Sequence, residues 1–179
     1  MKKNAVDWAI KILILSITLS IVFSIISQSI YPILPTILSI FIILFFIVLS
    51  SIFDMIGVSF TSFDINKLEK HKNDIEYKTA LKLCKNAGKV SSFCADVVGD
   101  ICGILCGAGG VSLILNLNIQ NPNIYLFLTC VTSALIAGLT VFAKAIMKPY
   151  AIENSENIVL RTARVLNSPI LSIFKKRRK

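Results

Sequence analysis

Four long apolar runs, separated by short polar or basic stretches, set the pattern of this chain. They extend over about Trp8 to Ile30, Thr36 to Gly57, Val90 to Leu115 and Ile124 to Met147. A helix needs ~20 apolar residues to cross the ~30 Å hydrocarbon core of a bilayer, and every run has that length. Residues 40–49, "IFIILFFIVL", hold no polar side chain at all. The pattern predicts an all-α integral membrane fold with four transmembrane helices.

The breaks between runs are of two kinds. Tyr31-Pro32-Ile33-Leu34-Pro35 is an uncharged turn whose prolines lack the donor that continues a helix, and "NLNIQNPN", residues 116–123, is an uncharged loop with a turn at Asn-Pro. The other breaks are basic. Residues 64–89 carry seven lysines, and Tyr77, Leu81, Cys84 and Gly88 fall near helical spacing among them. That predicts an amphipathic juxtamembrane helix lying along the membrane surface. Lys148 and Pro149 close the fourth run. A second amphipathic stretch, Ile158 to Phe174, is interrupted at Pro169 and followed by Lys175, Lys176, Arg177, Arg178 and Lys179. The chain therefore divides into an N-terminal helix and turn (1–35), a central membrane domain (36–149) and an amphipathic, polybasic tail (150–179).

The first run has features of a signal peptide, with small residues at Ser27-Gln28-Ser29. Its apolar stretch is long for that role, and Asp7 and Lys11 lie near its start, so an uncleaved helix is the better reading. Ser16, Ser20, Ser24 and Gln28 recur every fourth residue, a stripe that marks a helix–helix contact in lipid.

Composition agrees: 55% of residues are hydrophobic and 16% charged, against about 25% charged in soluble domains. The net charge of +9 would suit a nucleic-acid binder, but the excess flanks the apolar runs, which is the positive-inside pattern. Nucleic acid is therefore not an expected partner. Lysines precede run one, separate runs two and three, and follow run four, while the two other connections carry no charge. This places both termini in the cytoplasm, with a bacterial cell (inner) membrane as the expected location. The five cysteines match no zinc spacing and read as free, apolar thiols.

Chemistry concentrates in "FCADVVGDICGILCGAGG", residues 93–110. Gly99, Gly103 and Gly107 form a small-xxx-small ridge, extended upstream by Ala95, that lets another helix backbone come close. Asp96 and Asp100 are four apart and share a face. Counted from Lys89 at ~1.5 Å per residue, they lie roughly 10 Å and 16 Å deep, so Asp100 is near the middle of the membrane. An acid there costs at least ~2.5–3.5 kcal/mol and needs a partner, a proton or a wet cavity. Asp54, near the basic end of run two, and Lys144, one turn from Lys148, are within the same third of the bilayer. Two readings stay open. Lys144 pairs with Asp96 or Asp54 and Asp100 is protonated, a purely structural arrangement. Alternatively Asp54 and Asp100, with backbone and hydroxyl oxygens, hold a hard cation such as magnesium. By depth, Asp100 is expected inside the protein with Asp54, and Asp96 beside Lys144. No phosphate-binding glycine loop, His/Cys metal cluster or Ser-His arrangement is present, so an enzyme is not expected.

From residue 36 onward the order of parts resembles the transmembrane domain of the cyclin M (CNNM) and CorB/CorC family of magnesium transporters. "SIFDMIGVSFTSFDINKLEKHK" looks like that family's acidic kink motif and its exit, "YKTALKLCKNAGK" like its juxtamembrane helix, and "VVGDICG" like its Gly-Asn-Asn turn, with Gly99 matching and Asp100 at the first Asn. "FAKAIMKPYAIENSENIVL" looks like its Gly-Glu-x-x-Pro-Lys motif, with Lys148 matching the lysine and Lys144 standing where the family has its acid. The helix at 8–30 is an addition. The resemblance implies a homodimer, a metal site at Asp54, Gly99 and Asp100, Mg2+ as the transported or bound ion with no other cofactor, and a CBS-domain partner protein. The rival expectation is a non-transporting accessory membrane protein, whose intramembrane charges are structural and whose polybasic end, Lys175 to Lys179, binds a partner or anionic lipid. Lys144 discriminates: a fixed cation near Asp54 and Asp100 repels magnesium, whereas a lysine that snorkels to the surface leaves room for it.

Overall fold

The computed structural model describes residues 3–72 and 76–167, and every regular element there is helical. Helix α1 (Lys3–Ile30) leads through a 3₁₀ turn (Tyr31–Ile33) into α2 (Thr36–Ser62). A second 3₁₀ segment (Ile65–His71) precedes α3 (Tyr77–Cys84). Then α4 (Ala87–Ser92), a π-helical turn (Phe93–Val98) and α5 (Gly99–Leu115) follow one another without a break. Helix α6 (Pro122–Glu153) and α7 (Ser155–Asn167) complete the described chain. Residues 168–179, including the basic cluster Lys175, Lys176, Arg177, Arg178 and Lys179, lie outside the described residues.

Four helical stretches are long and apolar enough to cross a membrane: Val6–Ile33, Thr36–Ser62, Ala87–Leu115 and Pro122–Glu153. Their arrangement supports the same reading, because the usual distribution of side chains is inverted. On α2 the buried face carries Ser39, Ser50, Ser51, Asp54, Gly57 and Ser59 along with Ile43 and Ile47, whereas Ile37, Phe41, Leu44, Phe45 and Val48 are exposed. Water would reject such a surface. Lipid accepts it, and rewards small residues where helices meet.

Helix α2 is the hub. It packs against α5 and α6, and at its basic end against α4, the π turn and α7, while α1 rests chiefly on α5. The serine stripe of α1 is half-buried at Ser16, Ser20 and Ser24. Ser24 and Gln28 line the groove against Gly107 and Ala108 of α5, so the stripe does face a helix. Gln28 Nε2 donates to Ser24 Oγ at 3.0 Å, which gives each polar group a partner on an otherwise apolar helix. Ser59 Oγ donates to the backbone oxygen of Ala151 at 3.2 Å, joining α2 to α6.

Both uncharged breaks are built by local rules. Pro35 precedes α2 and its carbonyl accepts from Ser39 N at 3.0 Å. Asn121 Oδ1 accepts from Asn123 N at 3.0 Å and Pro122 opens α6, a capped start with proline in its favoured first position. Asn118 takes φ 50° just beyond the end of α5, the left-handed conformation that Asn tolerates after a helix.

Three expectations are corrected. Helix α6 does not end at Lys148 but runs through Pro149 to Glu153. Proline removes one donor, and the side chains around the freed carbonyl, Ala145 and Ile146, lie on the exposed face at the basic end of the helix. The 64–89 block is not one helix on the membrane surface: it is a 3₁₀ segment, α3 and the start of α4. Finally, its apolar face is covered by protein. Tyr77, Leu81 and Cys84 pack around buried Ala80 with Leu68 and Phe63, and Val159 and Ala163 of α7 close the cluster. Gly88, the fourth position of the predicted face, is exposed.

Candidate functional site

Ser50 and Asp54, one turn apart, share the buried face of α2. Asp54 is 8% exposed and Ser50 2%, and neither Asp54 Oδ2 nor Ser50 Oγ has a hydrogen-bond partner. Facing them, α5 begins with Gly99. A Cβ built there would lie 3.5 Å from Lys144 Nζ and 3.8 Å from Ser50 Oγ. The missing side chain is thus the space into which Lys144, half-buried on α6, extends its ammonium. Lys144 reaches inward, across the start of α5 toward α2. No ion pair joins it to Asp54, Asp96 or Asp100.

Of the residues expected at a site, the structure brings Asp54, Gly99 and Lys144 to one region of the bundle. It does not bring Asp100 or Asp96 there. Asp100, expected inside with Asp54, is exposed: Gly99 takes the inward position, and the next residue of a helix is turned by about 100°. Asp96 is exposed too and is not paired with Lys144. It lies within the π turn Phe93–Val98. The two acids share a face as expected, but it is the open face. Among the described residues no three His, Cys, Asp or Glu side chains form a metal-binding group. A tethered ammonium beside Ser50, and a carboxylate turned away at Asp100, do not make the oxygen-rich shell that magnesium requires.

The glycine ridge divides within the single chain. Gly99 faces the bundle, but a Cβ at Gly103 or Gly107 would meet nothing within 4 Å. The glycines that admit close neighbours are others. At Gly109 a Cβ would fall 2.8 Å from Tyr31 Cζ and 2.9 Å from Ile43 Cγ1, and at Gly110 2.7 Å from Ile136 Cδ1, while Gly57 lies against Ser91 at 3.3 Å. Ser50 was missed from sequence. Its spacing of four from Asp54 within an apolar run is the signal that would have found it.

The cysteines are all free, as expected, with Cys94, Cys102 and Cys106 buried. Cys106 Sγ lies 3.6 Å from the Ile43 carbonyl as a weak donor, tying α5 to α2. Comparison with protein-family models, with curated proteins and with solved structures finds no match to this chain.

Proposed function

We propose that this chain is a CNNM/CorB-like membrane protein in which Lys144 stands in for the cation, so that it works as a non-transporting accessory or regulatory subunit. The observation that carries this reading is the ammonium of Lys144 directed at Gly99 and Ser50, on the buried face that also carries Asp54. A positive charge held at that place, on the same side of the bundle as Asp54, opposes entry of a second cation. The exposed acids supply a reason to associate. Asp96 and Asp100 stand on the open side of the third span together with Gly103 and Gly107. Carboxylates left in lipid are costly, and glycines beside them allow a close helix. A homodimer, or a CBS-domain protein with its own membrane helix, is the partner this reading assigns to that face.

A second reading keeps cation transport, with magnesium as the substrate. It is favoured by the unpartnered oxygens, Asp54 Oδ2 and Ser50 Oγ, which a cation would satisfy once Lys144 withdrew toward the basic end. Flux of Mg2+ into proteoliposomes, followed with a magnesium-sensitive dye, separates the two. The accessory reading expects no flux above protein-free vesicles, and expects Lys144→Glu to gain a magnesium-dependent rise in thermal stability that the unaltered chain lacks. Flux through the unaltered protein that is lost in Asp54→Asn sinks it in favour of transport.

A further inference from the structure

At the basic end of the bundle, away from the Lys144 cluster, a groove of about 600 Å³ opens between α1, α2, the third span and α7. That volume falls within the ~300–1,000 Å³ of small-molecule sites. Its walls are apolar: Phe53 and Ile56 of α2, Val90 and Phe93 of the third span, and Val165 of α7. Its charged lining residues are both cations, Lys89 and Arg161, and no carboxylate lines it. Trp8, the chain's single tryptophan, completes the rim, and Lys89 Nζ sits 4.9 Å over its ring. A cation–π contact leaves the ammonium's outward N–H groups unused, and Arg161 is in no ion pair with the described residues.

Depth and chemistry agree on an occupant. Lys89 stands at the start of the third span and Trp8 at the start of the first, where interfacial tryptophans and snorkelling cations meet lipid headgroups. Phe53 and Ile56 of the wall lie within the second span and Phe93 within the third. Two cations at headgroup level above an apolar trough match an anionic phosphate carrying an acyl chain. Basic pockets between membrane helices bind such headgroups. Residues 168–179 of the chain end in five cations, the same sign as the rim, so charge disfavours them as the occupant.

We infer that this groove is a binding site for one anionic phospholipid, its phosphate held by Lys89 and Arg161 and its acyl chain laid along Phe53, Ile56 and Phe93. The site is separate from the polybasic tail and does not depend on what Lys144 does. Trp8 reports on it directly. In phosphatidylcholine nanodiscs, a small fraction of phosphatidylglycerol brominated in its acyl chains is expected to quench Trp8 at least two-fold more than the same fraction of brominated phosphatidylcholine. Arg161→Gln, at an exposed position of α7, is expected to bring the two lipids level. So is Thr162→Phe, which fills the trough. Replacing Lys175, Lys176, Arg177, Arg178 and Lys179 with glutamine is expected to keep the preference. Equal quenching by both lipids in the unaltered protein overturns the proposal, and so does a preference that follows the tail substitution but survives Arg161→Gln.

Discussion

Gly109 and Gly103 lie on the same helix and are chemically identical, yet substitution should separate them. A methyl at Gly109 meets the Tyr31 ring and Ile43 at under 3 Å. Neither can retreat easily, because Tyr31 is 3% and Ile43 5% exposed. Overpacking of this kind costs ~1–3 kcal/mol, so Gly109→Ala should lower the unfolding temperature in mild detergent, while Gly103→Ala, with open space, should leave the monomer unchanged. Equal effects would mean that the α5 face is assigned wrongly. Which glycine sits tight was not legible in the sequence. In a membrane helix both faces are apolar, so the pattern that reveals the inward side of a soluble helix is erased, and a repeat of small residues marks a contact without saying with what. Asp54 illustrates the opposite case: an acid in an otherwise apolar run must be buried among protein groups, and it is. The same rule did not hold for Asp100, which stands exposed on α5 beside the inward Gly99.

At the scale of elements, the two amphipathic segments clasp each other. Arg164 Nε of α7 donates to Glu76 Oε1, at the start of α3, at 2.6 Å, over the shared apolar cluster of Ala80, Val159 and Ala163. That hydrogen bond from the guanidinium, with its positive charge, holds the Glu76 carboxyl below its ordinary value of 4.5. The folded protein therefore binds this proton less readily than the unfolded chain does. The contribution is present at neutral pH and fades as pH falls below the ordinary carboxylate range. Thermal unfolding of the clasp, followed from pH 7 to 3, should show this acid-side loss, and Glu76→Gln should flatten it. Burial pushes the neighbouring Cys84 thiol up to about 11, so alkylation of Cys84 at pH 8 should stay slow until the clasp opens, and Ala163→Glu, which prises α7 away, should speed it several-fold. The amphipathic spacing of α3 and α7 was visible in sequence. That their faces meet each other instead of the membrane was not, because a lipid surface and a second amphipathic helix demand the same pattern.

For the whole molecule, four spans and their turns followed from hydropathy, proline and the distribution of lysine, the signals least affected by tertiary packing. The uncharged loop at residues 116–121 and the start of α7 lie at opposite ends of α6, whose 32 residues extend ~48 Å, well beyond the ~30 Å hydrocarbon core. Cysteines placed at Gln120 and Ser155, in a background lacking the native five, should therefore be labelled by an impermeant maleimide from opposite sides of the membrane. Labelling of both from one side would remove α6 from the set of spanning helices.

The π turn at Phe93–Val98 has a consequence for how this sequence can drift. Such a turn holds one residue more than an α-helix of the same height. A chain shortened by a single residue here could wind straight through, but everything on its N-terminal side would revolve by about 100° about the axis. Lys89 would leave Trp8, and the span could no longer serve the clasp at one end and Gly99 at the other. Residues 116–121 can absorb insertion or deletion without such a cost. The tolerance of this protein to changes in length is thus written unevenly along it: permissive in the short polar loop, and strict in six residues that look, letter by letter, like any other stretch of membrane helix.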